Sequence, residues 1–260
     1  MSLVKTVRDS GVATVTMADE SNRNALSTAL VGELVAALDE AEADPEVRVV
    51  VLTNQGQVFC AGADLSERSG GGPAHAGSTA PRPAQVNPAA LFSRFRVSPK
   101  VYVGRIAGHC VAGGMGLAAA MDLTVAIQDA KFGFTEVRRG VAPAVISVLC
   151  LPKMRATEAA EAMLLGNRMT GADAARLGLI NRAVPANEID AVVDSFVSDL
   201  MAGGPSALAA TKQLLTRVPT MSMKDAFTWT SELSSDLFGS DEAREGMQAF
   251  LEKRPPNWSV

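Results

Sequence analysis

The sequence predicts an α/β layered fold followed by an all-helical C-terminal region, on three observations. Residues 11–17 (GVATVTM) alternate between apolar and polar side chains, and residues 47–52 (VRVVVL) form a short apolar run, so both predict strands. A helical pattern lies between them, beginning after the N-cap candidate Ser27 and ending at Asp44-Pro45. From about residue 187 the strand signals stop. Strands interleaved with helices indicate layered α/β architecture.

The strand and helix pattern recurs along the chain. Residues 101–107 and 123–128 predict strands around a small-residue helix from about Gly113 to Met121, and a further strand is expected near residues 179–184. The C-terminal part predicts helices only, near residues 187–202, 205–217, 221–238 and 240–253.

Composition narrows the class of protein. The chain has 260 residues, 47% of them hydrophobic, enough for one substantial core with a smaller appendage. Its 24 basic and 28 acidic residues are interspersed, which argues against nucleic acid or a membrane surface as a partner. Three distant cysteines indicate reduced thiols, and no signal or transmembrane pattern is visible, so we expect a cytoplasmic protein.

One segment differs from the rest in composition. Residues 69–88 combine glycine, proline and small polar residues with almost no large apolar side chain. Two interpretations stay open: a disordered surface insertion, or a lid that folds over a ligand.

Two glycine-rich turns follow predicted buried strands. Gly62 lies between Ala61 and Ala63, and Gly113-Gly114 opens a helix whose first N–H groups lack intrahelical partners. Such donors, with the positive end of a helix dipole behind them, suit an oxygen that becomes negative. A nucleotide-phosphate loop is disfavoured because Lys and Ser or Thr are missing after the glycines. A purely structural role, tight packing of helix on sheet, stays open.

The combination of motifs resembles a known family. The segments FCAGADL, IAGHCVAGGMGLAAAMDL and FGFTEVRRGVAP occur in that order, and the chain closes on FLEKRPPNW. Together they resemble the crotonase superfamily of enoyl-CoA hydratases and isomerases, which act in fatty acid metabolism. The resemblance implies a spiral core of repeated ββα units over residues 1–195, and a helical region over 196–260 that builds homotrimers or hexamers.

The resemblance also implies site residues. Ala63 and Gly113 would donate the two N–H groups of an oxyanion hole. Coenzyme A would enter as part of the substrate, so neither a separate cofactor nor a metal is implied. The residues implied to contact coenzyme A, the last two of them from a neighbouring subunit, are Arg23, Asn24, Ala25, Ala61, Asp64, Leu65, Phe250 and Lys253.

Glu136 is the catalytic residue that the resemblance implies, expected at the end of a short strand. The alternative is an exposed glutamate paired with Arg138 or Arg139. Hydratases with the full family pattern carry a second glutamate, and that position is Gly116 here.

The missing glutamate leaves the reaction open. A single carboxylate most naturally moves one proton between two carbons, as an isomerase does. However, TEVRRGVAPAVIS resembles a hydratase-like branch that acts on branched and methylglutaconyl-type acyl-CoAs. We therefore expect a hydro-lyase acting on a 2-enoyl-CoA, with an isomerase or a non-catalytic acyl-CoA-binding protein as alternatives.

Other polar residues rank lower. His109 is interpreted as a structural histidine in the glycine turn, and His75 lies in the 69–88 segment. Asp122 is expected to brace a turn, and Glu67 would reach an acyl pocket only if that segment folds inward.

Overall fold

The computed structural model describes residues 2–69 and 87–259, so the prediction of a lid or insertion at 69–88 lies almost entirely outside the described residues. The strands in the described part are β1 (Val4–Asp9), β2 (Val12–Met17), β3 (Val49–Asn54), β4 (Val58–Cys60), β5 (Val101–Ile106), β6 (His109–Val111), β7 (Leu123–Ile127), β8 (Lys131–Gly133), β9 (Met169–Thr170) and β10 (Arg182–Val184). The helices are α1 (Thr28–Ala43), α2 (Leu65–Ser69), α3 (Pro88–Val97), α4 (Gly113–Ala120), α5 (Ala144–Cys150), α6 (Ala156–Leu165), α7 (Gly171–Arg176), α8 (Ile189–Ala202), α9 (Pro205–Arg217), α10 (Met223–Phe238) and α11 (Asp241–Glu252).

The strands form two sheets. The larger has the order β1-β2-β3-β5-β7-β10, antiparallel only between β1 and β2, and the smaller has the order β4-β6-β8-β9. Three times in succession the chain runs from a strand of the large sheet to a strand of the small one (β3 to β4, β5 to β6, β7 to β8). This repeated unit confirms the layered α/β prediction and its two-strand repeat.

Both faces of the large sheet are covered. All six residues of β3 are buried, as expected for a parallel strand with packing on each side. One face contributes to the main core with α1 and α4, and the other packs against Ile189 and Val193 of α8. The predicted boundary between the core and the helical region, at residues 195 and 196, falls within α8. This helix packs on the large sheet through these contacts.

Helix α1 begins and ends where the sequence predicts. The Ser27 side chain accepts a hydrogen bond from the Leu30 N–H at 3.1 Å, and Asp44 is the C-cap. Glu67 accepts from the Thr28 N–H at 3.0 Å and from its hydroxyl at 2.9 Å. This carboxylate therefore binds the first turn of α1.

The C-terminal region is helical, as predicted, and it is anchored by a buried lysine. Lys212 of α9 is 6% exposed, and its Nζ pairs with Asp122 at 2.8 Å and donates to the Phe95 carbonyl at 3.0 Å. Asp122 also accepts from the Tyr102 N–H at 2.8 Å, so its carboxylate binds strand β5 and Lys212, where the sequence predicted only the bracing of a turn. Within residues 2–69 and 87–259, no helix combines the length and apolar character needed to cross a bilayer.

Candidate active site

The two glycine-rich turns are in contact. Gly62 has a φ of +90°, and a Cβ at this position would lie 2.7 Å from the Ala112 Cβ and 3.1 Å from the Gly113 nitrogen. Its carbonyl accepts a hydrogen bond from the Leu26 N–H at 2.7 Å. Both the backbone conformation and the lack of space require glycine here.

The second turn holds a backbone conformation that L-residues rarely adopt. Ala112 is the N-cap of α4 with a φ of +50° and a ψ of −120°, an arrangement that costs about 1–3 kcal/mol and persists only where the surroundings enforce it. The next residue, Gly113, lies so close to the first turn that a Cβ there would be 3.4 Å from the Gly62 Cα and 3.7 Å from the Ala63 nitrogen.

These contacts bring two free amide donors together. Ala63 forms a parallel bridge with Leu26, and in that pattern its own N–H points away from the bridge partner. Neither this N–H nor that of Gly113 has an acceptor in the part of the chain that the structure describes. Seven of the eight residues of α4 are buried, so the helix dipole acts in a low-dielectric setting. The geometry suits an oxyanion hole.

Small residues also serve packing at this place. A Cβ at Gly114 would lie 2.8 Å from the Cys60 carbonyl oxygen and 3.3 Å from the Cys110 sulfur. The structural and the chemical interpretations of the glycine run therefore both apply. Burial raises the pKa of the Cys60 and Cys150 thiols to about 12, so these cysteines behave as small core residues.

The turns implied to bind coenzyme A are joined to each other. The Ala61 N–H donates to the Arg23 carbonyl at 3.2 Å, and the Asn22 amide donates to Asp64 at 2.7 Å. Asn24 is buried with a φ of +50° and donates to the Val58 carbonyl at 2.7 Å. Ala25 is buried beside it, and Leu65 is exposed at the start of α2.

The two remaining candidates for coenzyme A contact lie at the C-terminus of α11. Phe250 is 82% exposed, and Lys253 caps the helix with a φ of +56°. Among the described residues no hydrogen bond joins either of them to the turns around Arg23 and Ala61.

Glu136 is not at the end of a strand as predicted. Strand β8 ends at Gly133, and Glu136 opens a short 3-10 helix, Glu136–Arg139, that closes on Gly140. The extended backbone ends at Gly133 because neither neighbouring strand continues: β6 pairs with Phe132 and Gly133, and β9 pairs with Lys131 and Phe132.

The carboxyl of Glu136 is half-buried and unpaired. Its Oε2 is buried with no hydrogen-bond partner among the described residues, and neither Arg138 nor Arg139 forms an ion pair with it there. Arg138 donates to the Leu165 carbonyl at 3.3 Å, and Arg139 to the Thr135 carbonyl at 2.9 Å. Burial raises the pKa of Glu136, while its own backbone N–H and the Arg139 charge act in the opposite direction.

The position of the second family glutamate is filled by apolar side chains. A Cβ at Gly116 would lie 2.4 Å from the Ile146 Cγ2 and 3.0 Å from the Phe92 Cζ. Ile146 belongs to α5 and Phe92 to α3, and both are buried. Sequence reasoning missed these two residues, because only the fold brings them to Gly116.

The lower-ranked candidates have structural partners. His109 lies in strand β6 rather than in a turn, and its Nδ1 accepts from the Lys131 N–H at 3.0 Å. His75 lies outside the described residues. In the described ranges, no three His, Cys, Asp or Glu side chains are grouped as metal ligands.

Two sheets built from a repeated strand pair, with two amide donors placed after strands β4 and β6 of the smaller sheet, are the features of a crotonase-fold enzyme. The family model described as enoyl-CoA hydratase/isomerase matches residues 7–260, and the chain belongs to this enzyme family. It is 32% identical over 248 residues to Enoyl-CoA hydratase EchA19 of Mycobacterium tuberculosis, covering 94% of this chain and 91% of the relative.

Solved structures agree with the family. Pseudomonas aeruginosa AtuE superposes with a TM-score of 0.90 at 30% identity, covering 99% of this chain and 100% of AtuE. An enoyl-CoA hydratase of Mycobacterium smegmatis superposes with a TM-score of 0.88 at 29% identity, covering 99% of each chain. The predicted family and crotonase-like fold are therefore confirmed.

Proposed function

We propose that the protein hydrates a 2-enoyl-CoA. The observation that carries the proposal is a pair of amides without acceptors among the described residues, those of Ala63 and Gly113, together with the half-buried carboxyl of Glu136. The Glu136 segment is joined to the second turn by the hydrogen bond from the Ala112 N–H to the Gly133 carbonyl at 2.9 Å. The enoyl-CoA hydratase name of the relative described above supports the same reaction.

In this proposal the thioester oxygen accepts hydrogen bonds from the Ala63 and Gly113 N–H groups. As water adds to the β-carbon, negative charge moves onto that oxygen, and the bonds strengthen. One such donor contributes about 3–4 kcal/mol to transition-state stabilisation in enzymes where its removal has been measured. The dipole of α4 adds to the field at the oxygen.

Glu136 would then perform both proton transfers. As a carboxylate it accepts a proton from water while the water oxygen bonds to the β-carbon, and as the resulting acid it delivers a proton to the α-carbon. The sum is the addition of one water across the double bond. A carboxyl with a raised pKa is suited to both halves of this cycle.

The apolar contacts at Gly116 favour a second candidate, isomerisation of a 3-enoyl-CoA. Ile146 and Phe92 leave no polar group there to hold a water. A single carboxyl could remove a proton from the α-carbon and return it to the γ-carbon without any water.

The test is turnover on a panel of crotonyl-CoA, longer and branched 2-enoyl-CoAs, and 3-enoyl-CoAs. Hydration removes the conjugated absorbance of a 2-enoyl thioester, whereas isomerisation of a 3-enoyl thioester creates it. Loss of absorbance from a 2-enoyl-CoA supports the proposal. Gain from 3-enoyl-CoA alone would move the assignment to isomerase, and acyl-CoA binding without turnover to a non-catalytic binder.

The finer proposals concern substrate and assembly. The TEVRRGVAPAVIS segment supports a branched or methylglutaconyl-type acyl chain.

A homotrimer or hexamer is supported by α10, none of whose residues is buried, and by exposed apolar side chains on α10 and α11. Light scattering of the purified chain tests the assembly: a monomer at micromolar concentration would contradict it. The apolar side chains are Met223, Phe227, Phe238, Met247, Phe250 and Leu251.

A further inference from the structure

The two turns that carry the proposed oxyanion donors are built alike. In each turn a residue with a positive φ comes directly before the donor: Gly62 before Ala63, and Ala112 before Gly113. The φ angles are +90° at Gly62 and +50° at Ala112. The direction of each donor N–H therefore depends on how the peptide group of the preceding residue is held.

The N–H of each preceding residue is bound, but the two acceptors differ in kind. The Ala112 N–H donates to the Gly133 carbonyl at 2.9 Å, a main-chain acceptor at the end of strand β8. The Gly62 N–H donates to the Cys60 sulfur at 3.4 Å, a side-chain acceptor within the same turn. The first turn therefore relies on a side chain for the contact that the second turn makes with the main chain.

The hydrogen bond to the Cys60 sulfur leaves Ala63 as the donor of the first turn. The Ala61 N–H binds the Arg23 carbonyl at 3.2 Å, and the Gly62 N–H binds the sulfur, so the Ala63 N–H is the next along the turn. Gly62 is buried, and a buried N–H without an acceptor is strongly disfavoured. A turn that lost the sulfur would rotate to find this N–H another acceptor, and the Ala63 N–H would rotate with it.

Cys60 suits this contact because it is buried, uncharged and part of a strand. A thiol sulfur accepts hydrogen bonds, and burial raises the pKa of Cys60 to about 12, so the group stays a neutral thiol. A thiolate in this place would repel the negative charge that develops on the thioester oxygen. Strand β4 holds Cys60 in register beside Cys110 of β6, which fixes the position of the sulfur.

We propose that Cys60 is a positioning residue, whose sulfur holds the Gly62 N–H so that the Ala63 N–H points at the thioester oxygen. The inference rests on the proposed function, in which that oxygen accepts from Ala63 and Gly113. A side-chain acceptor two residues before the N–H that it binds is a recurrent way to fix a tight turn. A misdirected donor costs most where the oxygen is most negative, in the transition state, so the loss falls on the rate at saturation rather than on binding.

Variants at position 60 test the role through deuterium exchange at the α-carbon of butyryl-CoA. Cys60→Ala removes the acceptor and should lower the exchange rate at saturation by about 10- to 100-fold, with the half-saturating concentration within about threefold of wild type. Cys60→Ser keeps an acceptor and should exchange within about threefold of wild type. Thermal unfolding is measured in parallel, because a merely structural role predicts that exchange rates follow stability. The proposal predicts that Cys60→Ser is the faster of the two variants, whichever of them unfolds first.

Cys110→Ala is the matched control. Cys110 is the register partner of Cys60, is equally buried, and lies two residues before Ala112 as Cys60 lies two residues before Gly62. Its sulfur accepts no hydrogen bond in the described part of the chain. The substitution therefore removes the same atom from a neighbouring strand without removing an acceptor. Exchange by this variant should stay within about threefold of wild type.

Amide exchange in the wild-type protein tests the contact without any substitution. NMR of ¹⁵N-labelled protein follows the exchange of single amide hydrogens with solvent. In the free protein the Gly62 N–H should exchange at least about 100-fold more slowly than the Ala63 N–H, because only the first has an acceptor. Bound butyryl-CoA should slow the Ala63 N–H and leave the Gly62 N–H unchanged.

Four outcomes would overturn the proposal. These are a wild-type exchange rate in Cys60→Ala, an equal loss in Cys110→Ala, no recovery in Cys60→Ser, and a Gly62 N–H that becomes protected only when the thioester binds. The last would make Gly62 itself the donor. Any of the four, with α-carbon exchange by wild-type protein intact, removes this inference alone and leaves the proposed function standing. Absence of that exchange in wild-type protein would remove the proposed function and this inference with it.

Discussion

The two sides of the proposed reaction centre differ in chemistry. On one side lies Glu136, whose half-buried carboxyl has no ion-pair partner among the described residues. On the other side Gly116 is packed against Ile146 and Phe92. The family's second carboxylate is therefore replaced by a filled apolar wall. Under the proposed function, Glu136 is therefore the group among the described residues that transfers the protons, because the apolar contacts at Gly116 leave no room for a second carboxylate.

The largest expected effect is the loss of that carboxyl. Glu136→Gln should lower kcat by about 10²- to 10⁴-fold, because the amide can neither accept nor deliver the proton. Affinity for a saturated acyl-CoA should change little, since the amide donors remain. Steady-state kinetics and calorimetry measure the two quantities, with Glu161→Gln, at an exposed site on α6, as the control. Retained turnover in Glu136→Gln would contradict the role.

Restoring a carboxylate at position 116 requires a second substitution that makes room for it. Gly116→Glu alone places its Cβ 2.4 Å from the Ile146 Cγ2, so we expect it to lower the free energy of unfolding by about 1–3 kcal/mol through overpacking. Gly116→Glu with Ile146→Ala should recover part of that loss and increase hydration of crotonyl-CoA above Ile146→Ala alone. Denaturant titration and turnover check both. If Gly116→Glu alone were as stable as the wild-type protein, the apolar side chains at Gly116 would have moved aside, and the expected overpacking would be contradicted.

The dependence of kcat/KM on pH tests whether Glu136 acts as a carboxylate. Burial raises the pKa of Glu136, so the active carboxylate is lost at a higher pH than for an exposed glutamate as the solution is acidified. Because the Arg139 charge lowers this pKa, Arg139→Met should move the acidic limb of kcat/KM to still higher pH. A profile of kcat/KM against pH for both proteins measures the shift. An unchanged or lowered limb would contradict it.

The smallest effect is on stability. A raised native pKa means that the carboxylate form opposes folding at neutral pH, so Glu136→Gln should unfold at a slightly higher temperature. Each 1 kcal/mol gained raises the Tm by roughly 2–4 °C in a chain of this size. The gain should disappear at acidic pH, where Glu136 is protonated in both the native and unfolded states. Scanning calorimetry at two pH values tests the sign.

Elements of the fold that depend on residues close together in the sequence were predictable, and those that depend on distant contacts were not. Helix α1 was predictable from sequence because its signals, Ser27 and Asp44-Pro45, act on adjacent residues. Strand β3 was predictable because burial on both faces demands an apolar run, although it begins and ends two residues later than expected. Strands β4, β6 and β9 of the small sheet were not predicted from their residues, because two or three residues are too few for a period to show.

The site divides in the same way. The paired turns were predictable because runs of small residues mark them in the sequence. Gly62 has a φ of +90°, which is a local backbone requirement, whereas Gly113 is constrained by its contact with Leu26 and Gly62. The 3-10 helix at Glu136 and the wall at Gly116 were not, since they depend on where β9 stops and where Ile146 packs. A sequence motif identifies the Glu136 carboxyl, but the residues that surround it in space are distant in the sequence.

Hydrogen exchange at the α-carbon tests the central claim most directly, because it needs neither a double bond nor a bound water. A saturated thioester such as butyryl-CoA is incubated with the protein in D₂O, and deuterium at the α-carbon is followed by mass spectrometry. The account predicts exchange by wild-type protein and by Glu161→Gln, with exchange in Glu136→Gln reduced by at least about 100-fold. Equal exchange in wild type and Glu136→Gln, or none in wild type, would contradict it.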